Sequence, residues 1–155
     1  MPLPSSHDHP DPARRRWMAV LARATGDEIA SCLAASGGMP TYTRLRGPEN
    51  GLVMVRGRAG GGGAAFNLGE MTVTRCSIRS QQGWVGHAYV AGRDDRQAEL
   101  AALTDAMLQD PDRQAALLES VIAPLEVKQR MRRQSIAGKA AATRVEFFTM
   151  RTMRT

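Results

Sequence analysis

The sequence predicts an α+β fold: N-terminal helices, a four-stranded antiparallel sheet, then C-terminal helices and an extended basic tail. Three observations carry this. Apolar residues recur three and four apart in "ARRRWMAVLARA" and again in "RDDRQAELAALTDAMLQ", the period of a helix with one buried face. Between these segments the period falls to two, in runs rich in β-branched residues such as "MTVTRCSIR". The connections within this middle region are short, which suits hairpins rather than parallel crossovers.

The helices come first. Trp17, Val20, Leu21 and Ala24 form one apolar stripe. "TGDE" then opens a second helix, with Thr25 as N-cap and Glu28 three residues on, a capping box. Ile29, Cys32 and Leu33 are its buried stripe, and "SGGMP" ends it. Cys32 reads as core.

The strands follow. "TYTRLR" and "LVMVRGR" flank "GPENG", which predicts a β-hairpin from Thr41 to about Arg58. "MTVTRCSIR" gives a third strand, "QQG" a turn, and "WVGHAYVAG" a fourth. The chain then returns to helix. Asp94 or Asp95 caps a segment whose inward face is Leu100, Leu103, Thr104 and Met107. Asp110 as N-cap and Pro111 at the first helical position start another, with Ala115, Leu118, Val121 and Ile122 as its stripe. A last helix starts at Pro124, turns basic, and loses its apolar face by Gly138.

A chain of 155 residues, 43% apolar, suits one domain with a real core. Aromatics are only 5%, so Ala, Leu, Val, Ile and Met must build it. Residues 1–12 read as a disordered tail, 13–138 as the single domain, and 139–155 as a C-terminal segment that docks on a partner. No apolar run approaches the roughly 20 residues that span a bilayer. The N-terminus has no apolar signal region, and Cys32 and Cys76 are too few for a disulfide scaffold, so a cytoplasmic protein is expected.

Catalytic motifs fail one by one. Gly60 to Gly63 lack the lysine and the following helix that a phosphate loop needs, so the run reads as a hairpin loop. Arg93, in "GRDDRQ", stands at a helix N-terminus and is a candidate anion contact, but Asp94 and Asp95 already offer capping carboxylates there. His87 shares a strand face with Val85, Tyr89 and Ala91 and has no nucleophile motif near it. His7 and His9 are two potential metal ligands in a tail, where a site needs three or four held by a fold.

Charge is concentrated at the end. From Pro124 onward eight basic residues oppose two acidic ones, which accounts for the whole net charge of +6. The cluster from Lys128 to Arg133 has no interleaved aromatics, so nucleic acid is not the expected partner. "RVEFFTM" offers anchors of another kind: Phe147 and Phe148 would each gain roughly 1.5–3 kcal/mol on full burial. Arg144, Phe147, Phe148 and Met150 are therefore the candidate partner interface.

"RRRWMAVLARA", "GLVMVRGRAGGGGAAFNLGEMTVTR", "GHAYVAGRDDRQAELAALTDAML", "IAPLE" and "TRVEFFTMR" occur in this order. Together they resemble the PhnG family, the G subunits of the bacterial carbon–phosphorus lyase system. The likeness runs from Arg16 to Arg151; the N-terminal tail and the lengthened glycine run are outside it. The resemblance implies a core complex with H, I and J subunits, most directly the I subunit, and a functional link to an ATP-binding-cassette-type L subunit. The implied chemistry joins methylphosphonate to C1′ of ATP, expels adenine, and makes alpha-D-ribose 1-methylphosphonate 5-triphosphate. ATP is then a substrate of the complex, and an iron–sulfur cluster with S-adenosylmethionine belongs to the J subunit. The family supplies no catalytic residue and no cofactor for the G subunit itself. The expectation is an accessory subunit, not catalytic alone; the alternative is direct participation in ATP or phosphonate binding at a shared site.

Overall fold

The computed structural model describes residues 11–58 and 62–143. It is α+β in the predicted order. Helices α1 (Pro12–Leu21) and α2 (Gly26–Ala35) precede strands β1 (Tyr42–Gly57), β2 (Phe66–Ser80) and β3 (Val85–Ala91). Helices α3 (Asp95–Leu108), α4 (Pro111–Leu117) and α5 (Ala123–Ala142) follow.

The helix starts are set by their caps. Asp11 accepts from the Ala13 N–H ahead of Pro12. Thr25 and Glu28 complete the capping box: Glu28 N–H donates to Thr25 Oγ1 at 3.2 Å and Thr25 N–H to Glu28 Oε2 at 3.0 Å. α2 ends where Gly37 and Gly38 take positive φ and the Gly38 N–H returns to the Leu33 carbonyl. The stripe Trp17, Val20, Leu21 and Ala24 and the stripe Ile29, Cys32 and Leu33 are buried as expected.

The sheet is antiparallel in the order β1-β2-β3, and among the described residues it has three strands, not four. "GPENG" does not turn the chain. Gly47 to Gly51 stay within β1, and the ladder absorbs them as register shifts between Arg44 and Arg46 and between Arg46 and Glu49. The reason lies across the strand. Glu49 bridges Arg46 and Arg75, at 2.8 and 3.3 Å, and Asn50 Oδ1 lies 2.9 Å from Thr74 Oγ1. β1 is an edge strand, so Pro48 sits there without breaking an inner ladder.

α3 lies across the sheet and is the centre of the molecule. Leu100, Leu103, Thr104 and Met107 are buried, but so are Ala98, Ala101, Ala102 and Ala106 on its other sides. α1, α2 and α4 pack against α3. Asp110 and Pro111 open α4 as expected. A π-helical turn over Leu118–Ile122 then leads into α5. Its extra residue shifts the helical phase, so Leu117 is buried and Ala115 is exposed. The widened turn also precedes Pro124, which has no N–H to return.

The outer edge of β3 is closed by side chains. Asp105, fully buried on α3, accepts from the His87 backbone N–H at 3.0 Å and from Trp17 Nε1 at 2.8 Å. Arg14 completes it with a two-point pair at 3.1 and 2.7 Å. Gln109 Nε2 donates to the Val85 carbonyl at 2.8 Å. One carboxylate thus ties α1, β3 and α3 together.

Candidate functional site

The glycine run joins β1 to β2, and β2 begins at Phe66 with no helix among the described residues between them. A phosphate loop aims its N–H groups from the N-terminus of the helix that follows it, and the element that follows here is a strand. Gly62 and Gly63 are exposed with open space around them, and Gly60 and Gly61 lie outside the described residues.

Arg93 lies in the turn before α3 and has no carboxylate partner among the described residues. The helix end beside it is taken. Asp94 caps α3 by accepting from the Gln97 N–H at 2.8 Å, and its own N–H donates to Thr74 Oγ1 at 3.1 Å. The arginine ion pair near this corner is made by Arg96, with Asp27 of α2.

His87 faces solvent. Its Nδ1 lies 2.9 Å from Ser77 Oγ on the paired strand. That pairing comes from register and has no local signal in the sequence. It is a hydroxyl and an imidazole on an open strand face. Asp105 holds the His87 backbone rather than its ring, and among the described residues no acidic group orients the imidazole as a triad would require.

The two thiols are buried. Burial, with the Glu99 carboxylate nearby, pushes the Cys76 thiol up to about 11, and it lies 3.4 Å from the Arg46 carbonyl. A thiol held protonated is a poor nucleophile. Among the described residues no group of three or more His, Cys, Asp or Glu could hold a metal ion.

Paired charges fix the outer faces of the core. Glu99 accepts from Tyr42 Oη at 2.7 Å and from Arg44 at 2.6 and 2.9 Å. The Arg44 hydrogen bonds hold the Glu99 carboxyl below its usual range, and burial raises the Tyr42 phenol. The Arg16 fork on Glu126 lowers that carboxyl in the same way. Glu28 is lowered chiefly by the Thr25 N–H that it accepts.

What remains is surface. Between α1 and α5 runs a groove lined by Arg16, Arg23, Arg130 and Arg133, and only Arg16 has a carboxylate partner among the described residues. From Arg130 to Thr143 every residue of α5 and its cap is exposed, including Met131 and Ile136. Half of this helix has left the core. β1 and β2 do the same elsewhere on the molecule, carrying Leu52, Met54, Phe66 and Leu68 into solvent. Arg144, Phe147, Phe148 and Met150 lie outside the described residues.

The fold and these surfaces define an α+β protein with no assembled catalytic constellation among its described residues and with two long elements extending past its core. The chain belongs to the family of phosphonate metabolism proteins PhnG, which it matches over residues 12–152. It is 47% identical over 140 residues to the alpha-D-ribose 1-methylphosphonate 5-triphosphate synthase subunit PhnG of Rhizobium meliloti (strain 1021), covering 88% of this chain and 87% of that one. Among the described residues no helix is long and apolar enough to cross a membrane.

Proposed function

We propose that this protein is an accessory, non-catalytic subunit of a synthase that makes alpha-D-ribose 1-methylphosphonate 5-triphosphate and adenine from ATP and methylphosphonate, in the cytoplasm. The observation that carries the subunit role is the exposed half of α5. A free helix of this length is marginal in water, and this one keeps Met131 and Ile136 64% and 61% exposed. It leads directly into the segment that holds Phe147 and Phe148. The relative's name, an alpha-D-ribose 1-methylphosphonate 5-triphosphate synthase subunit, supports the product of that reaction.

The basic face of α5 suits an acidic surface on the I subunit, with the aromatic pair as anchor. The H and J subunits complete the core, and the L subunit acts with it. ATP, the iron–sulfur cluster and S-adenosylmethionine then belong to the partners. The test has two parts. Truncation after Gly138 is expected to abolish co-purification with the I subunit; unchanged binding overturns this docking mode. Adenine release from ATP and methylphosphonate by the I, H and L subunits is expected to collapse when this chain is omitted; full activity without it overturns the synthase role.

A second reading rests on Arg93, which stands at the α3 corner without a carboxylate partner among the described residues. It would contribute to ATP or phosphonate binding at a shared site. Arg93→Ala would then lower turnover with the complex intact, and a normal rate in an intact complex removes this reading.

A further inference from the structure

The outer halves of β1 and β2 form a ribbon that no other described element covers on either face. β3 pairs with β2 only from Val73 to Arg79, so among the described residues Phe66 to Thr72 of β2 and Leu52 to Gly57 of β1 pair only with each other. A two-stranded ribbon alone is marginal in water.

The register assigns its side chains. Leu52 lies opposite Thr72 and Met54 opposite Glu70, which puts both on the same face as the core residues Thr74, Cys76 and Ile78. The core-facing side of the sheet thus runs on past the helices, where Leu52 is 63% and Met54 53% exposed. Val53 lies opposite Met71, so Val55 and Met71 share the other face, 36% and 42% exposed. Phe66 and Leu68 extend the apolar surface toward the tip. Apolar residues bared on both faces of one ribbon are a binding surface or an aggregation hazard.

We infer that this ribbon is an insertion arm, enclosed on both faces by an apolar cleft with an acidic rim in another subunit. The inference rests on the subunit role proposed above. A flat partner would cover one face and leave the other wet. A second copy joined along β1 would close one edge and leave both faces in water. The rim follows from charge. Arg56 and Arg58, at the end of β1, have no carboxylate partner among the described residues, and the arm offers only Glu70 in return.

The test uses the full chain co-expressed with the I, H and J subunits, retained through a tag on one of them. Leu52→Asp/Met54→Asp changes one face and Val55→Asp/Met71→Asp the other. Each is expected to lower retention at least about tenfold, because each buries unpaired charge in the cleft. Arg56→Glu/Arg58→Glu, at exposed positions outside the core, is expected to lower it too, by setting like charges against the rim. Retention of all three variants at the wild-type level overturns the inference. So does loss confined to one face, which means flat docking, and so does loss of self-association with subunit retention unchanged. Full retention of the arginine variant alone overturns the acidic rim. If the wild-type chain is not retained, the subunit role itself falls.

Discussion

The backbone of Gly86 lies against that of Ala102 and Ala106 so closely that a Cβ on Gly86 would fall 2.6 Å from the Ala106 backbone nitrogen and nearer still to the Ala102 carbonyl oxygen. Both obstacles are backbone, so neither can swing aside. This is where β3 meets α3, and the contact sets the spacing of sheet and helix. Gly86→Ala is therefore expected to destabilise the fold by about 3 kcal/mol or more, at the upper end for overpacking. Urea unfolding checks it: the midpoint should fall steeply with little change in slope. A midpoint unchanged from wild type would mean that the helix and strand can separate at no cost.

Asp105 is expected to be the most sensitive polar residue. Its carboxylate is inaccessible and receives Trp17, Arg14 and the His87 backbone. Asp105→Ala leaves an indole N–H and a backbone N–H without acceptors and Arg14 without its partner. The Arg14 side chain is 28% exposed, so water takes over part of its charge. The net cost is expected to be about 3 kcal/mol, by equilibrium unfolding. Trp17→Phe removes one of these donors, so the double variant should lose less than the two single losses added together.

Much of this was readable in the sequence, and the exceptions share a cause. The stripes of α1 and α2, the capping box and the Asp110–Pro111 start are local signals, and they appear where local chemistry puts them. "GPENG" is a strong local turn signal that fails, because Arg75 and Thr74 on β2 hold Glu49 and Asn50 in line. Leu117 displaces Ala115 because a π-turn, which carries no sequence mark here, changes the helical phase. Alanines that let α3 lie close to its neighbours are silent in a hydrophobic pattern. Among candidate sites, Arg93 is seen at the predicted corner, whereas the Ser77–His87 pair and the Asp105 node needed strand register and long-range packing to become visible.

Cys76 gives a prediction on the alkaline side. Its thiol is pushed up to about 11 by burial, above the usual value of about 8.5 for an unfolded chain. The folded state therefore holds the proton more tightly. The stability it contributes is complete below the unfolded value and is lost as pH rises through the window up to the folded value. Unfolding midpoints are expected to decline from about pH 8.5 upward, and less so in Cys76→Ala. In native protein at about pH 8, below that window, a thiol reagent should modify Cys76 far more slowly than in urea. Equal rates would show that the site opens freely.

The acid side reverses the sign. Glu99 is held below its usual range by Arg44, Glu126 by Arg16, and Glu28 by the Thr25 N–H. Each carboxylate ionises more readily folded than unfolded. Their contribution is complete above the unfolded value of about 4.3 and is lost as pH falls through the depressed folded values. Thermal midpoints are expected to hold near neutrality and to fall below about pH 5. Glu99→Gln removes one of the three titrations and keeps an acceptor for Tyr42. Its midpoint should start lower near neutrality and approach the wild type as pH is lowered, because a protonated Glu99 and the amide that replaces it carry the same charge. Parallel curves from about pH 7 down to about pH 3, across the whole titration, would show that the Arg44–Glu99 pair does not couple to folding.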